Sequence, residues 1–314
     1  MPLANPLKLT LTSRSLKSRL LLGLALTWFL VVSLVLGMSW QLGKTMVHEA
    51  NMSHLRYEAT LLSDEVTQQI EQRFQALERL SDMIGATDDA SWISYQLRQN
   101  DGLLAWFEGI VVANREGEVV ADWPAIVGRV GLHTAELEYF RMLRGTLRPY
   151  VSEPFQGRAS GMPMVLVSVP RLTEQGEFDG FVGGILSLDS GGMFGRLAKV
   201  RLGESGYAAV ATASGKILYH PNSRLINASV PDKEFNPGLD LALDGWEGDV
   251  VDELLDGQTA LQSYAQVWPA GWVVGFYLPI EQAQLPLANF IQKLWWLWVS
   301  LAVLMLPLLW WLLG

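Results

Sequence analysis

Two long apolar runs bracket this chain, and the polar positions lie between and outside them. Leu20–Trp40 and Leu294–Gly314 each hold 21 residues without a charge. As helices they reach about 31 Å at ~1.5 Å per residue, enough to cross a hydrocarbon core of about 30 Å. Trp295, Trp296 and Trp298 at one end of the second run and Trp310 and Trp311 at the other have the placement of interfacial belts. The first run is longer than a signal-peptide core, and Gly37-Met38-Ser39-Trp40 offers no small-x-small cleavage site. The pattern predicts a cytoplasmic segment 1–19, a first membrane helix 20–40 and a second at 290–314.

After the first run the apolar positions change period. Leu55, Ala59, Leu62, Val66, Ile70, Phe74, Leu77, Leu80 and Ile84 recur at steps of three or four, which predicts a stalk helix over 41–84 continuing the membrane helix. A stripe of this kind can face the domain's own sheet or a second copy of itself, and the sequence leaves both open. His48 and His54 lie six apart, on different faces of this helix, and read as solvated residues rather than a metal pair.

Beyond the stalk the pattern turns to short β runs. Gly109–Pro124 places two β-branched runs around Asn114-Arg115-Glu116-Gly117, a hairpin signal. Gly206–Pro221 repeats that layout at the same length of 16. Each is followed, after an insert, by a longer strand pair: Met162–Arg171 with Phe178–Leu188, then Gln258–Val267 with Trp272–Leu278. One α/β unit is used twice. The first insert holds a short helix, Ala135–Arg144, that can roof a cavity over its sheet; the second, Asn222–Gly257, is rich in Pro, Asp and Gly. The expected fold is α+β: a long N-terminal helix and two tandem PAS-like modules with antiparallel sheets, at 85–200 (membrane-distal) and 201–284 (membrane-proximal), flanked by two transmembrane helices.

Charge sets the orientation. Lys8, Arg14, Lys17 and Arg19 precede the first run with no acid among them, so that end stays in the cytoplasm and the loop is exported. The loop holds all 32 acids against 19 of the 23 basic residues, about −13, which argues against a nucleic-acid partner. With no cysteine, neither a disulfide framework nor a thiolate metal site is available.

Several segments together resemble the double Cache (dCache) sensor domains of bacterial transmembrane receptors. They are Glu138-Tyr139-Phe140 with Gly145 and Tyr150-Val151-Ser152-Glu153-Pro154-Phe155; Gly183-Gly184-Ile185-Leu186-Ser187-Leu188-Asp189; and Leu202-Gly203-Glu204-Ser205-Gly206-Tyr207 leading to Ser214-Gly215-Lys216-Ile217-Leu218-Tyr219-His220-Pro221. The resemblance implies two stacked PAS-like modules, a small-molecule ligand in the distal one, and a signal carried through the second span to a cytoplasmic output. It also implies ligand contacts at Leu137, Tyr139, Phe140, Phe155 and Ile185. Amino-acid-binding members carry Arg where this chain has Leu137 and Asp at about Ile185, so both charged anchors for a zwitterion are replaced. Charge-assisted hydrogen bonds are worth about 1.5–3 kcal/mol each, and their loss argues against an α-amino acid ligand. The Leu also departs from the Arg-x-Tyr-Phe form of relatives associated with organic acids. What stays is an aromatic, mainly apolar wall.

Catalytic motifs are weak. Ser160 in Gly157-Arg158-Ala159-Ser160-Gly161 has the wrong spacing for a nucleophile elbow, Gly203-Glu204-Ser205-Gly206 precedes a strand with no Gly-Lys-Ser/Thr, and His133 and His220 stand singly. The reading is a non-enzymatic inner-membrane sensor without cofactor or metal, two-pass with both termini cytoplasmic, acting as a homodimer through the stalk helix. Its output domain is expected outside this chain and is most like a diguanylate cyclase. The alternatives are the input half of a chemoreceptor or histidine kinase, or an adaptor whose loop binds another protein.

Overall fold

The computed structural model describes residues 16–157, 161–188, 193–195, 197, 200, 202–230, 236–254 and 257–312. Lys8, Arg14, the Ser160 segment, Asp189 and Gly314 lie outside the described residues. The chain divides into two compact units, one of residues up to Ala50 together with those from Ala283 on, the other Asn51–Gln282.

Helix α1, Leu16–Ile84, runs unbroken for 69 residues, because neither proline nor a turn signal interrupts the apolar run or the stripe after it. Helix α5, Ile280–Leu312, carries Pro286 and Pro307 in its interior. Both are long and apolar enough to cross a membrane. Within the first unit the rings of Trp28 and Trp298 meet edge to face at 5.3 Å, and Gly43 faces the side chain of Leu287. Side chains such as Phe29, Leu30, Val303 and Leu304 are exposed, an arrangement suited to lipid rather than water.

In the second unit all nine residues of the α1 stripe are buried within the single chain, from Leu55 and Ile70 at 0% to Phe74 at 6% exposure. This decides the question left open by periodicity. The stripe is a core face of the single chain, so a second copy would have to use another face of the stalk helix. Arg56 leaves the same helix and pairs with Asp249, whose other oxygen accepts from Ser263 Oγ at 2.8 Å. Helix α2, Ala90–Gln99, follows; Asp89 caps it by accepting the Ser91 and Trp92 N–H groups.

Two antiparallel sheets follow in the chain. The first comprises β1 Gly109–Ala113, β2 Val119–Trp123, β3 Tyr150–Val151, β4 Phe155–Gln156, β5 Pro163–Leu172 and β6 Phe178–Ser187, in the order β2-β1-β6-β5-β3 with β4 also on β5. The second comprises β7 Tyr207–Thr212, β8 Ile217–Tyr219, β9 Gly248–Glu253, β10 Thr259–Val267 and β11 Trp272–Pro279, in the order β8-β7-β11-β10-β9. The order is the same in both: a first hairpin, then its leading strand paired with the last strand of the unit. The sequence repeat is thus a repeat of topology. The second insert, irregular by composition, contains helix α4, Pro237–Leu243, and strand β9. Asn236 caps α4 by accepting the Leu239 N–H at 2.9 Å, and Pro237 sits at its first turn.

Close approaches explain some sequence choices. Gly184 on β6 leaves the space that the Phe107 ring fills. Arg171 on β5 is 1% exposed and donates to the carbonyls of Gly85 and Thr87 and to Asp179 Oδ2, at 3.2, 2.6 and 3.1 Å. It ties the end of α1 to the first sheet. An unpaired buried guanidinium would cost several kcal/mol, so these acceptors are what allow a charge at this depth.

Candidate functional site

Helix α3, Glu138–Thr146, buries Tyr139, Phe140 and Leu143 on one face, a helical spacing that lays the aromatic pair over the first sheet. It starts after Leu137 and ends at Leu147, whose left-handed φ of 53° closes the last turn. Its start falls later than the Ala135 expected from sequence, because Thr134 is held by the first hairpin: both its N–H and its Oγ1 donate to Gly117 O at 2.8 Å. Gly117, at φ 85°, lets that turn approach; a Cβ there would press on the Ala135 backbone.

Between α3 and the 150–156 segment lies a cavity of about 310 Å³, walled by Leu132, Leu137, Tyr139, Pro154 and Phe155, with Glu138 and Glu153 also on its lining. A smaller hollow of about 80 Å³ shares Leu132, Thr134, Tyr139 and Phe155 with it and is floored by Val111, Phe181, Ile185 and Arg129. Tyr139 stacks on Phe155 at 6.0 Å and meets Phe181 edge to face at 5.7 Å. The hollow over the second sheet is about 60 Å³. The larger space therefore belongs to the first sheet.

Of the residues expected at the site, Leu137 and Phe155 are partly buried wall, Tyr139 lines both spaces, and Ile185 lies on the inner floor. Phe140 is on the lining of neither. Its ring packs on Phe178 at 5.4 Å and Phe181 at 6.3 Å, inside the core beneath α3.

The polar lining has its own order. Tyr150 Oη donates to Glu138 Oε1 at 3.3 Å, and burial, helped by the charge of Glu138, pushes the phenol up to about 12. Ser152 Oγ accepts the Leu166 N–H at 2.9 Å, holding the 150–156 segment on β5.

Sequence reasoning missed Arg129. It comes from the loop after β2, which folds back so that the Gly131 N–H donates to Val119 O and the Val119 N–H donates to Leu132 O. Arg129 is 7% exposed, with Nη1 at 3.4 Å from Asp122 Oδ2 and 3.5 Å from Pro124 O. Burial lowers its pKa, partly offset by Asp122. Gly109 on β1 makes the room: a Cβ there would stand 3.1 Å from Nη1 and 3.8 Å from Ile185 Cδ1. The only signal in the chain was an arginine in a short loop, Gly128-Arg129-Val130-Gly131, with no periodicity to place it.

Comparison with known proteins agrees with this architecture. Residues 44–287 match the model of the Cache domain, of the dCache type. The ligand-binding domain of the Pseudomonas fluorescens chemoreceptor CtaA, solved with L-isoleucine, superposes with a TM-score of 0.62 at 19% identity, covering 77% of this chain and 97% of that one. That of the Pseudomonas aeruginosa amino acid chemoreceptor PctB, solved with L-Arg, gives 0.62 at 19% identity over 77% and 93%. Among curated sequences, the methyl-accepting chemotaxis protein McpA of Pseudomonas putida is 28% identical over 143 residues, 45% of this chain and 21% of that protein. The match thus spans about a fifth of that relative's length. With the family model covering most of the chain and both sheets in the matching region, this protein belongs to the Cache domain family.

Proposed function

We propose that this chain is the sensory part of a bacterial inner-membrane receptor, whose exported region binds a small molecule in the cavity between α3 and the first sheet. The observation that carries this reading is the aromatic-walled space of about 310 Å³ at Tyr139 and Phe155, in a chain of the Cache family. The basic N-terminal residues and the acidic loop favour an arrangement with both termini cytoplasmic; the dCache resemblance favours a membrane-distal module (85–200) carrying the first sheet and a proximal one (201–284) carrying the second. Leu137 and Ile185 at the positions of the zwitterion anchors argue against an α-amino acid, although the CtaA and PctB structures were solved with amino acids. A diguanylate cyclase output finds no support among the relatives, McpA and McpG, which are chemotaxis proteins; a chemoreceptor is the better-supported whole. A homodimer stays part of the proposal, but through an exposed face of α1 marked by Tyr57 and Leu61. Ligand binding can bias such a receptor only through unequal affinity for its two arrangements. The test is a thermal-shift and calorimetric screen of the full chain in lipid nanodiscs against metabolites. A ligand whose binding is lost in Phe155→Ala supports the reading; no stabilising ligand of any class overturns it.

A further inference from the structure

The inner end of the cavity carries a positive group that the aromatic wall does not account for. Arg129 is more than nine-tenths buried, and both of its contacts run through Nη1, at 3.4 and 3.5 Å. Charge-assisted N–H···O bonds are normally about 2.7–2.9 Å, so these are loose. Asp122 is committed elsewhere as well, since its Oδ2 accepts the Ile126 N–H at 2.8 Å. Among the described residues nothing accepts from Arg129 Nε or Nη2. The guanidinium thus has two donors in the fork geometry that matches a carboxylate, in a hollow otherwise floored by Val111, Phe181 and Ile185.

The position of this charge gives a polarity to a wall that the sequence showed only as aromatic and apolar. The missing Cβ of Gly109 makes room for Nη1, which a side chain there would crowd at 3.1 Å, and Ile185 Cδ1 lies 3.8 Å from the same point. An ammonium in the hollow that Arg129 lines would face a cation, whereas an anion on Nε and Nη2 would complete the hydrogen bonding of the guanidinium. Toward the mouth the charge reverses, with Glu138 and Glu153 on the lining of the outer cavity. Glu138 receives Tyr150 Oη, and Glu153 receives the hydroxyls of Thr212 and Ser214. A second carboxylate on the ligand would be repelled by them.

We propose that Arg129 is the anion anchor of this cavity and that the ligand is a small monocarboxylate, its acid group on Arg129 Nε and Nη2 and its apolar body between Tyr139, Phe155 and Phe181. The assignment rests on the cavity being the ligand site. It deepens that reading by naming the class of molecule. Burial supports it, since the lowered pKa reports a charged form short of compensation.

The experiment compares ligands before it compares variants. The full chain in nanodiscs is titrated by calorimetry with straight-chain and aryl monocarboxylates, their amides, the matching α-amino acids and dicarboxylates of equal length. A monocarboxylate is expected to bind at least tenfold more tightly than its amide, and more tightly than the amino acid and the diacid. Arg129→Gln leaves Asp122 unpaired and could unfold the first sheet, so the neutral pair Asp122→Asn with Arg129→Gln is measured beside it, folding being checked by circular dichroism. The folded double variant is expected to lose the preference for acid over amide. Amide binding equal to acid, or an acid preference intact in the folded double variant, overturns Arg129 as anchor while leaving a small-molecule sensor. A chain that binds none of these but is stabilised by an amine does the same, and one stabilised by nothing overturns both readings.

Discussion

Glu153 Oε2 accepts a hydrogen bond from Ser214 Oγ at 2.6 Å, and the same oxygen takes Thr212 Oγ1 at 2.9 Å. Glu153 is on the lining of the cavity over the first sheet, whereas Thr212 ends β7 and Ser214 sits in the turn to β8 of the second. The contact is therefore a direct link between the cavity wall and the second sheet. A displacement of the 150–156 segment would act on this contact. Ser214→Ala and Glu153→Gln are expected to show a coupling of about 1 kcal/mol in a double-mutant cycle, reduced from the value for a fully desolvated pair because Ser214 is exposed. Urea unfolding followed by circular dichroism measures it. Additive single effects would mean that the link carries no energy between the sheets.

Tyr139 and Phe155 stack on each other but should respond differently to truncation. Tyr139 is 7% exposed and packed among Phe181 and the core under α3, so Tyr139→Ala is expected to cost about 3 kcal/mol of stability. Phe155 is half-buried on the lining of both spaces, and Phe155→Ala should cost less stability while weakening ligand binding ten- to a hundredfold. Melting temperature and calorimetric affinity, measured on both variants, separate the roles. Equal destabilisation by both would make Phe155 part of a filled core.

Elements with a strong period were legible in the sequence. The strands of both hairpins and both long pairs fall within a few residues of the expected ranges, and the nine-residue stripe on α1 is the buried face. Helices α2 and α4 and strand β9 were missed. The two helices are short, and their signal is capping chemistry, Asp89 before α2 and Asn236-Pro237 before α4. The lining of the candidate cavity was legible where it lies on periodic elements, at Tyr139 and Ile185. It was illegible at Arg129, whose burial depends on a loop returning to β2 and on the missing Cβ of Gly109 on a neighbouring strand. The destination of the stripe was likewise a tertiary fact: one apolar face fits an internal sheet as well as a partner helix.

A pH effect is expected at His220. Its Nδ1 accepts the Asn222 N–H at 3.0 Å and its ring meets Tyr207 edge to face at 5.0 Å, so the folded chain holds a neutral imidazole. Burial lowers its pKa below the ordinary value of 6.5. The unfolded chain then takes up the proton first on acidification. Its contribution to stability is full above pH ~6.5 and is lost as pH falls from there through the lower folded pKa. The melting temperature of the wild type is expected to drop more between pH 7 and pH 5 than that of His220→Gln, which cannot titrate. Parallel curves for the two proteins would remove His220 from the pH response.

A second copy can meet α1 only on a face other than the stripe. Leu55 and Leu62 are 0% and 5% exposed within one chain, so a partner helix cannot reach them without unpacking the core. Replacing either by alanine is expected to cost about 2–5 kcal/mol of stability. Tyr57 and Leu61 are 63% and 36% exposed and lie one turn apart on another face. A parallel pair tethered in the bilayer gains effective concentration, so a modest contact at these two positions suffices to hold it. Cysteines at Tyr57 or Leu61 are therefore expected to crosslink between full-length chains in membranes, and cysteines at Leu55 or Leu62 to stay reduced. Because the chain has no native cysteine, the readout is clean. Crosslinking as strong at Leu55 as at Tyr57 would mean that the stripe opens to a partner, and crosslinking at none of the four would remove α1 from any dimer interface.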